Sequence, residues 1–214
     1  MKCILCSQKK AKRFCPARND QICATCCGEK RVLEIDCPES CEYLKAGRER
    51  EAQDYGKRLR SLNSAAQDRV RKVLMERQDV VAHLEYAISQ QRRGSRFLTD
   101  KEVKQALDVL LENYTTEDKG VLYEKTSEDL QVESMRRELR RIIESYRNPE
   151  GADQRGIVDP KSTRLQLSEA IGCLEFMQSM VASYMDEKHS STGYVDFLFR
   201  ITPREESRSS IITP

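Results

Sequence analysis

The sequence predicts a small cysteine-rich module followed by an all-α domain whose first helix is long and coiled-coil-like. Three observations predict it. Eight of the nine cysteines of this 214-residue chain lie between Cys3 and Cys41, which leaves Cys173 alone in the remainder. Beyond Leu44 the apolar residues recur at steps of three and four, the spacing of one helix face. Hydrophobic residues make up 38% of the chain against 34% charged, with no Trp, a balance suited to narrow helical stripes rather than a broad sheet core.

The first module, residues 1–43, reads as a metal-built finger. Its cysteines fall as Cys3-x2-Cys6, Cys15-Pro16, Cys23-x2-Cys26-Cys27 and Cys37-Pro38-x2-Cys41. Each C-x2-C pair can place two sulfurs on one knuckle at about 2.3 Å from a tetrahedral zinc ion. Eight such ligands in a segment with few apolar residues argue for two Zn²⁺ ions, because a chain this short rarely folds on its core alone. If a helix begins at Pro38, Cys37 and Cys41 face one way and the cluster is fused directly to the next helix. No run of about 18 apolar residues is present and the mean hydropathy is −0.69, so neither a membrane span nor a secretory signal is expected. A reducing, cytoplasmic setting follows as the expectation, and there clustered cysteines hold metal more often than they form disulfides.

The all-α domain is expected over 44–190, with helices at about 44–92, 100–114, 128–147 and 161–189. In the first, Tyr55, Leu59, Leu62, Ala66, Val73, Val80, Leu84 and Ala87 form the seam, with gaps at Arg69 and at Glu76-Arg77 and a bend at Gly56. Such a seam needs a partner helix, in this chain or in a second copy. Thr99 and Glu102 form a capping box for the second helix, which carries Val103, Ala106, Leu107, Leu110, Leu111 and Tyr114. The third starts near Ser127, presents Leu130, Met135, Leu139, Ile142, Ile143 and Tyr146, and stops before Pro149. A Gly-, Asp- and Pro-rich loop runs from Asn148 to Pro160, and the fourth helix follows with Leu165, Ala170, Ile171, Leu174, Met177, Val181 and Tyr184. In the last segment, 191–214, Tyr194 to Ile201 reads as a strand or a docking peptide, and the polar tail from Thr202 reads as flexible.

Charge excludes a strongly cationic nucleic-acid binder. The chain carries 37 Lys and Arg against 35 Asp and Glu, a net +2. Residues 1–44 hold eight basic and six acidic side chains, and eight thiolates around two dications would take that segment to about −2. Lys9, Lys10, Lys12 and Arg13 remain as a local basic patch. The arginines Arg136, Arg137, Arg140 and Arg141 are interspersed with glutamates and read as a salt-bridged face.

The stretch Cys3-x2-Cys6, Arg13-Phe14-Cys15, Asp20, Ile22-Cys23-x2-Cys26 resembles the B-box zinc finger of tripartite-motif proteins, and through Cys15-Pro16 it is also similar to the HIT-type zinc finger. The resemblance covers residues 1–42 only. It implies a cross-braced pair of zinc sites: Cys3, Cys6, Cys23 and Cys26 in the first, and Cys15, Cys37 and Cys41 in the second, with Cys27 as the fourth ligand and Asp20 as the alternative. Arg18 stands where a B-box usually places its fourth ligand, and Cys37 and Cys41 replace the closing His pair. The family implies protein–protein recognition and self-association, often with a long coiled-coil helix after the finger. A ubiquitin-ligase role does not follow, because there is no separate RING-like cysteine set.

These features lead to a non-enzymatic adaptor, with a protein partner and self-association through the helices. Ligand sets made wholly of cysteine suit structural rather than catalytic zinc. There is no Gly-rich phosphate loop, nucleophile elbow or paired carboxylate motif. Two other readings compete: a nucleic-acid-binding regulator using Lys9, Lys10, Lys12 and Arg13, and a zinc–thiolate redox sensor. Cys173 is expected as a packed core thiol, and His83 and His189 as solvated or packed residues rather than ligands.

Overall fold

The computed structural model describes residues 1–65, 68–149, 164–188 and 191–202. Two short strands, β1 (Arg13–Cys15) and β2 (Asp20–Ile22), form an antiparallel hairpin, and helix α1 (Ala24–Lys30) follows at once. The finger is thus more regular than its composition suggests. Seven further helices lie among the described residues: α2 (Glu42–Ala65), α3 (Asp68–Glu76), α4 (Gln78–Gly94), α5 (Asp100–Asp118), α6 (Leu130–Arg147), α7 (Leu167–Lys188) and α8 (Gly193–Ile201). None of the described helices is long and apolar enough to cross a membrane.

The expected single helix over 44–92 is not found. Gly56 sits inside α2 without interrupting it, whereas the chain leaves the helix at Arg77, where φ is −129° and ψ 33°. The reason lies in the side chain. Arg77 is buried, donates from Nη2 to the Arg164 carbonyl at 3.1 Å and pairs with Glu169 at 2.8 Å. Turning a guanidinium inward toward α7 breaks the solvent-facing register that a continuous helix would give it. Nor does α2 stand out as a free coiled-coil strand. Tyr55 stacks on Phe197 at 5.3 Å, Arg58 lies 4.1 Å over the Tyr184 ring, and Arg58 donates to the Ser183 carbonyl at 2.9 Å. The partner helices for its seam are therefore α7 and α8 of the same chain.

The core of the helical domain lies between α4, α5, α6 and α7. α5 packs along both α6 and α7, and α4 along α6 and α8. Val80, Leu84, Ile88, Leu107, Leu110, Met135, Leu139, Leu174 and Met177 are all fully buried there, as the stripe spacing predicts. Cys173 is a packed core thiol, and burial pushes it up to about 12, away from any nucleophilic role. His83 Nδ1 shares a hydrogen bond with the Tyr146 hydroxyl and is a packed residue. His189 lies outside the described residues.

Helix ends follow the capping rules. At α5 the Thr99 amide donates to Glu102 at 2.7 Å and the Glu102 amide to the Thr99 hydroxyl at 3.4 Å, the expected capping box. The third expected helix is α6, which starts just after the expected position and is capped by Asp129; its carboxylate accepts from the Gln131 and Val132 amides. Asn148 closes α6 one residue before Pro149. The fourth expected helix is observed as α7, which begins at Leu167; residues 164–166 are not helical, and 150–163, most of the expected loop, lie outside the described residues. The arginine face of α6 is paired as expected, but Arg136 is buried in it. Arg136 donates to both Glu133 oxygens, at 2.7 and 2.8 Å, and these hydrogen bonds bring the Glu133 carboxyl down to about 2.

The segment Tyr194 to Ile201 is a helix, neither strand nor external docking peptide. It covers the bundle with Tyr194, Val195, Phe197 and Leu198 buried. Its N-terminus is capped from far away in sequence: the fully buried carboxylate of Asp100 accepts from the Tyr194 amide at 3.0 Å and the Val195 amide at 3.0 Å. Burial raises the Asp100 carboxyl, and the two amides oppose that rise. Asp100→Ala is expected to cost about 2–3 kcal/mol in urea unfolding, because two buried donors lose their partner. Asp100→Asn, which keeps one acceptor oxygen, is expected to cost less. Equal stability of Asp100→Ala and the native chain would contradict the assignment. Residues 203–214, expected as a flexible tail, lie outside the described residues.

Candidate metal centre

The finger is built around cysteine because little else in it is apolar. Its buried cluster consists of Cys3, Cys15, Ile22, Cys23, Cys26, Cys27 and Ile35, so only two non-cysteine residues are fully inside. The first knuckle is made by Cys3 and Cys6: the Ser7 amide donates to the Cys3 carbonyl at 2.8 Å, with Ser7 in the left-handed region at φ 54°. The second is the start of α1. Cys23 is the N-cap, its sulfur accepts from the Cys26 amide at 3.3 Å, and the turn projects Cys26 beside it.

The hairpin brings the two knuckles together. Cys3 donates its amide to the Lys9 carbonyl, Ile4 to the Gln21 carbonyl, and β2 runs from Asp20 straight into Cys23. As a result the sulfurs of Cys3, Cys6, Cys23 and Cys26 all lie within 4.8 Å of one another, with Cys6 and Cys23 at 3.9 Å. Four sulfurs at about 2.3 Å from a tetrahedral ion stand about 3.8 Å apart, so this set could hold a metal ion. The first of the two sets expected from the sequence is therefore assembled.

The local electrostatics favour the same conclusion. Burial opposes ionisation of Cys3, but backbone amides of Cys23, Cys6 and Leu5 aimed at its sulfur more than offset this and bring it down to about 6. The amides of Lys9 and Gln8 lower Cys6. Burial, with Cys23, Cys6 and Cys3 beside it, pushes Cys26 up to about 12. Four thiolates this close cannot all be charged without a cation among them. Metal binding would displace the last protons, and acid would reverse it.

The second expected set is not assembled in the same way. Among the described residues only the first set converges to ligand distance. Cys15 and Cys27 are buried in the same cluster, with Cys37 packed against it. Burial raises the Cys37 thiol; the Val32 amide opposes this, and Cys41, Cys15 and Cys27 add to it. Cys41 is half-buried and does not lie on a helix begun at Pro38. Its amide donates to the Pro38 carbonyl at 2.9 Å in a turn, and α2 starts only at Glu42. Pro38 therefore opens a turn, not a helix, between the two thiols. Asp20 pairs with Cys15 across the hairpin and accepts from the Gln21 amide, so its carboxylate already has a backbone partner.

The basic patch has separate fates. Lys9 donates to the Thr25 hydroxyl at 3.0 Å, Lys10 and Lys12 are exposed, and Arg13 lies 4.7 Å over the Tyr43 ring. Arg13 thus helps to tie the finger to α2. Arg31 does the same: it donates to the Tyr43 carbonyl at 3.2 Å and lies across Gly47, where a Cβ would fall 1.2 Å from its Nη1. A glycine inside a charged helix was the only sequence signal of that contact.

Sequence reasoning gave no hint of Val32, whose φ is 64°. A β-branched residue in the left-handed region is strained, and here the conformation turns its amide toward Cys37. Ile4, between two ligands, and Phe14, on β1, are the other unforeseen features, since both apolar side chains are exposed. No model of a known protein family, no characterised protein and no solved structure matches this chain, so the reading of the centre rests on its own geometry.

Proposed function

We propose that the chain is a non-enzymatic zinc-finger adaptor whose N-terminal module presents a rigid face to a protein partner. The observation that carries this reading is the pairing of a closed, all-cysteine ligand set with an exposed apolar surface beside it. Cys3, Cys6, Cys23 and Cys26 fill four positions with protein sulfur, the arrangement of structural rather than catalytic zinc. Phe14 pairs with Gln21 across the hairpin and the Ile4 amide donates to the Gln21 carbonyl; the two apolar side chains are 50% and 45% exposed, and Lys10 and Lys12 are exposed. A partner with an acidic, partly apolar surface suits that face.

The same reading assigns a second zinc to Cys15, Cys27, Cys37 and Cys41. Its support is the shared burial of Cys15, Cys27 and Cys37 and the strained Val32 amide directed at Cys37. The first set spans Cys15 in sequence, which is the interleaving of a B-box- or HIT-like cross-brace. Cys27→Ser is expected to lower the zinc content by one ion per chain while Cys3→Ser removes the other; a Cys27→Ser protein with unchanged zinc would sink the second site. Self-association through the helices completes the proposal. Met75 on α3, Leu130 on α6, and Phe97 and Leu122 in the connections beside α5 are each more than three-quarters exposed.

The test is capture of partners from a lysate by the full chain and by an Ile4→Asp, Phe14→Asp variant that retains its zinc. Loss of the same specific proteins from the variant supports the adaptor reading. An unchanged set of captured proteins overturns it, and capture of nucleic acid alone, falling steeply with salt, would replace it with the regulator reading.

A further inference from the structure

A cleft of about 400 Å³ opens between α2, α4 and α7, away from the finger. Its size is at the small end of ligand pockets, which run from about 300 to 1,000 Å³. Leu59, Val81, Ala82, Phe176 and the Tyr55 ring form most of its lining, and Glu85 is the acidic group among them. That carboxylate is held in place. Tyr55 and Tyr194 both donate to Glu85 Oε1, at 2.8 and 2.9 Å. The tyrosines are themselves fixed by rings: Tyr55 stacks on Phe197 at 5.3 Å, and Tyr194 meets Tyr184 at 5.3 Å.

Phenols orient a carboxylate but bring no positive charge. Among the described residues, no Lys, Arg or His forms an ion pair with Glu85, and Oε2 receives no hydrogen bond. Burial accordingly pushes its carboxyl up to about 7, although both tyrosines oppose the rise. A half-buried acid with no counter-ion, set in an apolar and aromatic wall, gains most from a cationic ligand with a hydrocarbon body. Arg60, on the exposed flank of α2, also lines the cleft and is the group that an anionic ligand would use instead.

We propose that this cleft binds a small organic amine, with the ammonium group paired to Glu85 and the hydrocarbon body packed against Tyr55, Leu59 and Ala82. The site is independent of the metal centre and of the adaptor reading. Its size and lining suit a single aryl or short alkyl chain.

The experiment is calorimetric titration of the full chain with phenethylamine, 2-phenylethanol and 3-phenylpropionate, three probes of similar shape. Phenethylamine is expected to bind at least about tenfold more tightly than the alcohol, a difference of about 1.4 kcal/mol. Glu85→Gln, checked for an unchanged fold by circular dichroism, is expected to remove that advantage and leave the alcohol unaffected. Arg60→Ala is expected to leave amine binding intact or tighten it, and Ala82→Phe, at an exposed position on the wall, to abolish binding of all three by filling the cleft. Equal affinity for amine and alcohol, an unchanged Glu85→Gln, or no binding of the amine overturns the proposal. Preference for the carboxylate, lost in Arg60→Ala, also overturns it and assigns the cleft to anions.

Discussion

Removal of metal from the full chain with a chelator under reducing conditions is expected to unfold residues 1–41 and leave the helical domain folded. The buried cluster of the finger has five cysteines among its seven members, with Ile22 and Ile35 beside them, and Val32 is buried outside it. Burying an isoleucine contributes about 1.5–3 kcal/mol, and two of them cannot order a segment of this length. Structural zinc in small fingers contributes on the order of 10–16 kcal/mol at neutral pH, so its loss is the largest perturbation the chain can suffer. The thiols left behind are crowded within 4.8 Å of one another, and burial pushes Cys26 up to about 12. The helical core draws on a separate apolar set. Amide hydrogen exchange measures both at once: protection is expected to collapse around Cys3 to Cys27 and persist in α4 to α7. Retained protection in the finger after complete metal removal would show that its fold does not depend on metal.

The second large effect is expected at Arg77. Arg77→Ala removes a buried guanidinium that bonds the Arg164 carbonyl and the Glu169 carboxylate, leaving the acid buried on α7. Breaking a buried pair on one side costs about 3–5 kcal/mol, and the loss here is expected near the lower end, because Lys72 remains 4.0 Å from Glu169 and the Gln166 amide still donates to it. Burial alone would raise Glu169, but Arg77 and the Gln166 amide more than reverse this and hold it below its ordinary value. The stability the pair contributes is therefore present above the unfolded glutamate range and is lost as pH falls through the lowered folded value. An Arg77→Met, Glu169→Leu double variant is expected to recover much of the loss, since two apolar side chains replace two charges. Urea unfolding checks both, and a cost below about 1 kcal/mol for Arg77→Ala would mean that the pair does not hold the break between α3 and α4.

What the sequence made legible depended on how local the cause was. The capping box at Thr99 and Glu102 spans three residues, and the stripes of α5 and α6 repeat within one helix, so both were readable. The gap at Glu76-Arg77 was visible, but its meaning was not, because Arg77 is turned inward by Glu169, which is 92 positions away. Similarly, α8 is amphipathic but only nine residues long, and its cap is Asp100, 94 residues earlier. Strands of three residues, such as β1 and β2, fall below what alternation can reveal.

In the finger the ligand types were legible from C-x2-C spacing, whereas the grouping of Cys3, Cys6, Cys23 and Cys26 came from the resemblance to B-box and HIT-type fingers. The turn at Pro38 was not, because a proline near Cys41 fits both a helix start and a bend. The Val32 conformation belongs to packing within the finger, and the clasp of Arg13 and Arg31 on Tyr43 to packing between the finger and α2. Gly47, under Arg31, is the one mark they leave in the sequence.

The most direct test of a metal-built recognition finger is the zinc content per chain, by elemental analysis of protein purified under reducing conditions without added metal. The account predicts two zinc ions, one lost in Cys3→Ser and the other in Cys27→Ser. One ion would confine the centre to Cys3, Cys6, Cys23 and Cys26 and contradict the cross-brace. No bound metal at all would contradict the account at its root.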